Sequence, residues 1–146
     1  MVMIRFALAL LFLLLGACSK AENAPIPPSN ESAPVVAGIT TFAGAGRDRL
    51  CLADGKRAAF ITFGEGNANC SVQGQVEGSG ERATLVPNGD ATCRIELNQT
   101  GDSISLGSVS EPCAYYCGPK ASFEGKAFKR MDKAVPVTDL AGEALC

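Results

Sequence analysis

The stretches Arg57-Ala-Ala-Phe-Ile-Thr-Phe63, Cys70-Ser-Val-Gln-Gly-Gln-Val76, Glu81-Arg-Ala-Thr-Leu-Val-Pro87, Ala91-Thr-Cys-Arg-Ile-Glu-Leu97 and Ser103-Ile-Ser-Leu-Gly107 decide the fold class. Each alternates at period two and is bounded by Gly, Asn, Asp or Ser, the punctuation of strands and turns. Five such segments in succession read as an up-and-down antiparallel sheet.

The turns fix a register. Thr100-Gly101 as a two-residue turn sets Leu97 opposite Ile104 and Ile95 opposite Leu106. Asn88-Gly89-Asp90 as a three-residue loop with a bulge sets Leu85 opposite Cys93 and Ala83 opposite Ile95. Carried across the sheet, this places Ala59, Ile61, Phe63, Cys70, Val72, Val76, Ala83, Leu85, Cys93, Ile95, Leu97, Ile104 and Leu106 on a buried face. Arg82, Thr84, Arg94, Glu96, Gln73, Gln75, Ser103 and Ser105 fall on a wet one.

Outside the sheet, Ile39-Thr-Thr-Phe42 and Leu50-Cys-Leu52 read as edge strands, the second entering the sheet through Asp54-Gly55. Glu111-Pro-Cys-Ala-Tyr-Tyr-Cys-Gly-Pro119 reads as a compact helical turn stopped by Gly118 and Pro119. Residues 121–128 supply two aromatics to close an open end, as a further strand or a packed loop. Thr138 or Asp139 is placed to cap a last short helix over 140–145. The expectation is an all-β fold: a small antiparallel meander closing into a barrel or sandwich, stapled by disulfides, with a short C-terminal helical turn.

Residues 1–17 carry one cation, Arg5, then an apolar run from 6 to 15 ending in small residues. That is the layout of a secretory signal, too short for a comfortable membrane span. Its ending, Leu15-Gly16-Ala17-Cys18, resembles the lipobox of bacterial lipoproteins. The resemblance implies lipidation of Cys18, removal of the peptide before it and acylation of the new N-terminus, which would anchor the chain to a membrane. Ser19 rather than Asp after the Cys implies the periplasmic face of the outer membrane if the source is Gram-negative. Residues 18–37 are Pro-rich and polar, a flexible tether, which leaves 38–146 as one disulfide-stabilised β domain.

Seven cysteines less Cys18 leave Cys51, Cys70, Cys93, Cys113, Cys117 and Cys146. An even set in a small exported domain reads as a disulfide framework, with fifteen possible connectivities for three bridges. Cys70 and Cys93 share a face with a strand between them, and two strand spacings, about 9.5 Å, exceed disulfide reach. Both are therefore expected to reach outside the sheet, where Cys113, Cys117, Cys146 and Cys51 are available; one such set gives them the Cys113/Cys117 pair, in either order, and ties the domain ends through Cys51 and Cys146.

The chain has no histidine, which removes the usual general base and the commonest metal ligand, and excludes Ser–His–Asp and Cys–His sites. Cys113-Ala-Tyr-Tyr-Cys117 has three intervening residues where disulfide oxidoreductases have two. The acidic residues fall mainly in turns or on the wet face. The chain is therefore read as not an enzyme, with no cofactor and no metal. A formal net charge of −2 gives no reason to expect nucleic acid. Lys120, Lys126, Lys129, Arg130 and Lys133 form a basic segment suited to anionic headgroups or cell-wall polymer.

In general layout, a lipid-tethered, disulfide-stapled small β domain resembles the membrane-bound inhibitors of c-type lysozyme. Those inhibitors present a loop Ser and a nearby Tyr or Lys to their target. Ser79-Gly80-Glu81-Arg82 is a hairpin on which such a Ser is displayed, although the family's following Tyr has no counterpart. The leading expectation is a non-catalytic envelope module binding a protein, glycan or small ligand, with Ser79, Arg82, Lys126 and Arg130 as candidate contacts and an envelope or peptidoglycan-related partner. Thiol–disulfide or metal handling at Cys113/Cys117, hydrolase inhibition and a purely structural role are the alternatives.

Overall fold

A computed structural model describes residues 38–146; the expected signal, Cys18 and the tether lie outside the described residues. Eight strands follow one another: β1 (Ile39–Ala43), β2 (Arg49–Ala53), β3 (Arg57–Phe63), β4 (Asn69–Ser79), β5 (Arg82–Pro87), β6 (Ile95–Thr100), β7 (Ser103–Val109) and β8 (Ala127–Arg130). Each pairs antiparallel with its neighbour, and β8 returns to β1, so the meander closes into a barrel rather than a sandwich. β1 and β2, expected at the edge, are wall strands. Closure leaves the sheet without an edge to protect.

Two registers differ from expectation by two residues, which keeps inward and outward faces, and a bulge between Ile95 and Leu97 moves Ile95 one residue further, opposite Val109 rather than Leu106. Leu97 faces Leu106, because the reversal uses Gly101-Asp102 and pairs Thr100 with Ser103. Gly101 has φ +57°. A β-branched Thr100 at that turn position would be strained, which is why the turn moves one residue on. Leu85 faces Ile95 and Ala83 faces Leu97. Residues 91–94 are not strand, because the Asp90 carboxylate accepts from the Thr92 and Cys93 amides (3.0 and 3.3 Å) and coils the chain into a longer loop. None of the eight residues assigned to the wet face is buried.

β3 departs from the simple two-face picture. Its inward residues are Ala58, Phe60 and Thr62, paired with Gly74, Val72 and Cys70. Ala59, Ile61 and Phe63 point outward, not into the core with Val72. They remain covered because residues 131–146 fold back as a strap over the outer face of β1–β3. Val137 is buried there beside Cys51, Ala59 and Ile61. Thr41 Oγ donates to the Val135 carbonyl at 2.9 Å. A strand buried on both sides carries no clean alternation.

The lumen is filled by Phe42, Leu50, Phe60, Val72, Leu85, Ile95, Leu106 and Phe128, with Phe123 entering from a loop. β4 and β5 approach so closely at Gly74 that a Cβ there would lie 2.0 Å from the Val86 carbonyl oxygen.

Three disulfides join Cys51 to Cys146, Cys70 to Cys117 and Cys93 to Cys113. The helical turn is the 3-10 segment Glu111–Tyr116. The helix expected over 140–145 is absent. Instead Thr138 bridges Ala144, and Asp139 Oδ1 accepts from the Ala141 and Glu143 amides (2.8 and 2.9 Å), closing a turn. The Cys51–Cys146 bond and the Leu145–Val137 hydrogen bond hold that segment extended against the barrel wall.

Candidate functional site

The two ends of the barrel are built differently. One pole carries the shortest connections, residues 54–56, Gly80-Glu81 and Gly101-Asp102, and receives the incoming chain at Gly38. Its carbonyl accepts from Asp54 N at 3.2 Å. The other pole carries residues 44–48, 64–68, 88–94 and the long connection 110–126. That connection forms a cap.

The cap is assembled from short-range chemistry. Ser110 Oγ accepts from Arg94 N (2.9 Å) and donates to the Thr92 carbonyl (3.0 Å), tying the end of β7 to the 88–94 loop. The 3-10 segment follows, with Pro in its first turn. In a 3-10 turn residues i and i+3 eclipse one another. Cys113 and Tyr116 therefore face the barrel together, while Tyr115 faces away. Cys113 is fully buried and Tyr115 is 86% exposed. Cys117 reaches β4 through Cys70, and Gly118 N donates to the Asn69 carbonyl at 2.8 Å. The next turn lies directly on Gly64, where a Cβ would sit 2.3 Å from the Lys120 carbonyl oxygen. Phe123 then plugs the lumen against Phe60, with ring centroids 5.0 Å apart.

Tyr116 OH donates to Asp90 Oδ2 at 3.1 Å, a third link between the cap and the 88–94 loop. The Thr92 hydroxyl, then the surrounding amides and the Tyr116 phenol, hold the Asp90 carboxyl below the usual carboxylate range. Desolvation, reinforced by the Asp90 contact, pushes the Tyr116 phenol above its ordinary value. Tyr115 packs edge-on against Tyr116, centroids 5.4 Å apart. The exposed ring thus stands on a turn fixed by two disulfides and a hydrogen bond.

At the same pole the preceding residue, Ala114, lines a cleft of about 630 Å³, which Tyr115 itself does not line. Val109, Ala114, Pro119, Ala121 and Phe123 supply its apolar lining, and among the described residues Glu111 and Glu124 are its only ionisable lining groups. Among the described residues no group of three or more His, Cys, Asp or Glu comes together to hold a metal.

Compared with known protein families, curated proteins and solved structures, the chain matches none. Its own geometry therefore carries the functional argument.

The four candidate contacts read from the sequence do not form one site. Ser79 and Arg82 flank the Gly80-Glu81 turn at the pole opposite the cap, both exposed. Arg130 is at that pole too, paired with Asp102 at 3.1 Å. Lys126 is at the capped pole and is occupied: its ammonium donates to Asp48 Oδ2 (3.0 Å) and to the Phe63 carbonyl (3.3 Å). Asp48 itself is buried and also accepts from Phe63 N at 2.8 Å. Of the five cations of the basic segment, Lys120, Lys126 and Arg130 are each paired with a different carboxylate, Glu65, Asp48 and Asp102, while Lys129 and Lys133 make no ion pair among the described residues. Tyr115 was not singled out from sequence. The available signal was a Tyr-Tyr pair between two stapled cysteines, where the 3-10 repeat sends the two rings to different sides.

Proposed function

We propose that this protein is a non-catalytic binding module of the cell envelope, lipid-anchored through Cys18, with the capped pole as its contact surface. The observation that carries the reading is Tyr115. A large aromatic, 86% exposed, is held on a 3-10 turn whose flanking cysteines are both bonded to the barrel. Exposed aromatics on a fixed backbone are among the residues that dominate binding interfaces, because little side-chain freedom is lost when they are covered. The cleft lies at the pole opposite Gly38, where the chain enters. Its apolar lining, with two carboxylates and no cation among the described residues, suits a partner that offers an apolar side chain next to a positive charge.

Thiol–disulfide chemistry would need Cys113 and Cys117 to pair with each other. They are bonded instead to Cys93 and Cys70, which supports their reading as staples. The test is crosslinking in the native envelope, comparing the unaltered protein with Tyr115→Ser and with the exposed wall variant Gln73→Ala. One discrete partner, lost in Tyr115→Ser and kept in Gln73→Ala, is expected. A partner captured equally by all three would remove the capped pole from the proposal, and capture of nothing discrete would end the reading of that pole as a contact surface for a macromolecule and favour a small ligand or a structural role. A muralytic enzyme as partner would make hydrolase inhibition the specific activity.

A further inference from the structure

Among the described residues, nothing covers the pole opposite the cap. Inward-facing residues of five strands, Leu52, Val76, Ala83, Leu97 and Ile104 with Gln99 above them, line a cavity of about 230 Å³ at the barrel mouth. It exists because the inward positions near the rim carry the smallest residues: Gly78 pairs with Ala83 where larger side chains would fill the lumen. The connecting turns Gly80-Glu81 and Gly101-Asp102 are too short to fold over it. The far pole, by contrast, is plugged by Phe123. Eight-stranded barrels sit at the size where the interior is either filled by side chains or holds one small ligand, and this one is filled over most of its length and vacant at one end.

We propose that this mouth is a second binding site, independent of the capped pole, for a neutral chain-like molecule with a hydroxyl or carbonyl at one end. The chemistry follows from the lining. Below the rim it is aliphatic, and the floor residues Leu97 and Ile104 are 5% and 2% exposed. The inward polar side chain of the lining, Gln99, is an uncharged hydrogen-bonding group, and among the described residues no cation lines the cavity to neutralise a carboxylate. Gln99 Nε2 makes only a long 3.4 Å contact to the Gly101 carbonyl, which leaves its amide free to turn to a ligand. With roughly 30 Å³ of liquid volume per small group, the share of one water molecule, the cavity accommodates about seven or eight carbons.

The test uses the full chain as its own cell produces it, with labelled Ile, Leu and Val methyls, titrated with straight-chain alcohols from butanol to dodecanol. Saturable shifts at Leu97 and Ile104 are expected, with Val137 on the outer wall unmoved. Affinity rises roughly fourfold with each added methylene and then levels off near octanol, where the cavity is full. Ala83→Leu, which fills the mouth, lowers octanol affinity at least tenfold; Ala83→Val serves the same purpose if the larger variant does not fold. Shifts that never saturate, movement of Val137 equal to that of Ile104, affinity climbing without a plateau, or unchanged binding by the folded Ala83 variant would each overturn the site. Tyr115→Ser binds octanol normally, which separates this site from the capped pole.

Discussion

Lys126→Met distinguishes a structural lysine from a ligand-binding one. Asp48 and Lys126 have side chains 2% and 30% exposed, so the carboxylate is buried and the ammonium reaches water. Methionine keeps the apolar stem and removes the charge, leaving Asp48 with Phe63 N as its remaining partner. Removing one member of a buried pair typically costs 3–5 kcal/mol, because the other charge stays buried. The partial exposure of Lys126 lets water replace some of the lost contact, which puts the loss at the lower end, about 3 kcal/mol. For a folded part of about 110 residues, at ~2.1 cal/mol/K per residue of unfolding entropy, this lowers Tm by roughly 13 °C. Thermal unfolding followed by circular dichroism reads it directly. The double variant Asp48→Asn, Lys126→Met recovers most of the loss, since no charge is then left buried. A single variant melting within about 2 °C of the parent, or a double variant as poor as both singles added, would refute the reasoning.

Three further outcomes are expected. Thr62 has a fully buried Oγ without a hydrogen-bond partner among the described residues, so Thr62→Val is neutral or raises stability by up to about 1 kcal/mol in urea unfolding. Replacing Cys93 and Cys113 by Ala opens a loop spanning 20 residues and removes about 3 kcal/mol, measured the same way. The cap is also pH-bounded. The depressed Asp90 contributes stability that is present above its unfolded value near 3.8 and lost as pH falls through the folded value. The raised Tyr116 contributes stability that is present below 10.0 and lost as pH rises through its folded value. Tyr116→Phe should abolish the alkaline loss, and hydrogen exchange at the 110–118 amides across that range checks both limbs.

The sheet, its outward polar set and the disulfide framework were legible because each rests on local rules. Period-two alternation marks strands, and the reach of a disulfide excludes Cys70–Cys93. Ambiguity entered where tertiary contacts take over. Thr100-Gly101 and Gly101-Asp102 differ by one step, and the strain of a β-branched Thr100 in the first turn position, which Gly101 takes at φ +57°, selects the second. The outward side of β3 is apolar for the strap, which lies about 75 residues further along the chain and leaves no mark near Ile61. Lys126 and Arg130 stand in a run of cations, yet each is drawn to a carboxylate in a different turn, Asp48 and Asp102. Tyr115 became visible only once both neighbouring cysteines were anchored.

The Cys51–Cys146 bond spans 95 residues, enclosing β3 to β8 and both other bridges. A protease that cuts once at any exposed turn between those two cysteines cannot release a fragment. The two pieces stay covalently joined, so the new ends remain at a high local concentration and can re-form their strand pairs. In a compartment populated by proteases, the molecule can be nicked and still keep its barrel. Such damage would pass unseen on a non-reducing gel and appear as separate bands only after reduction.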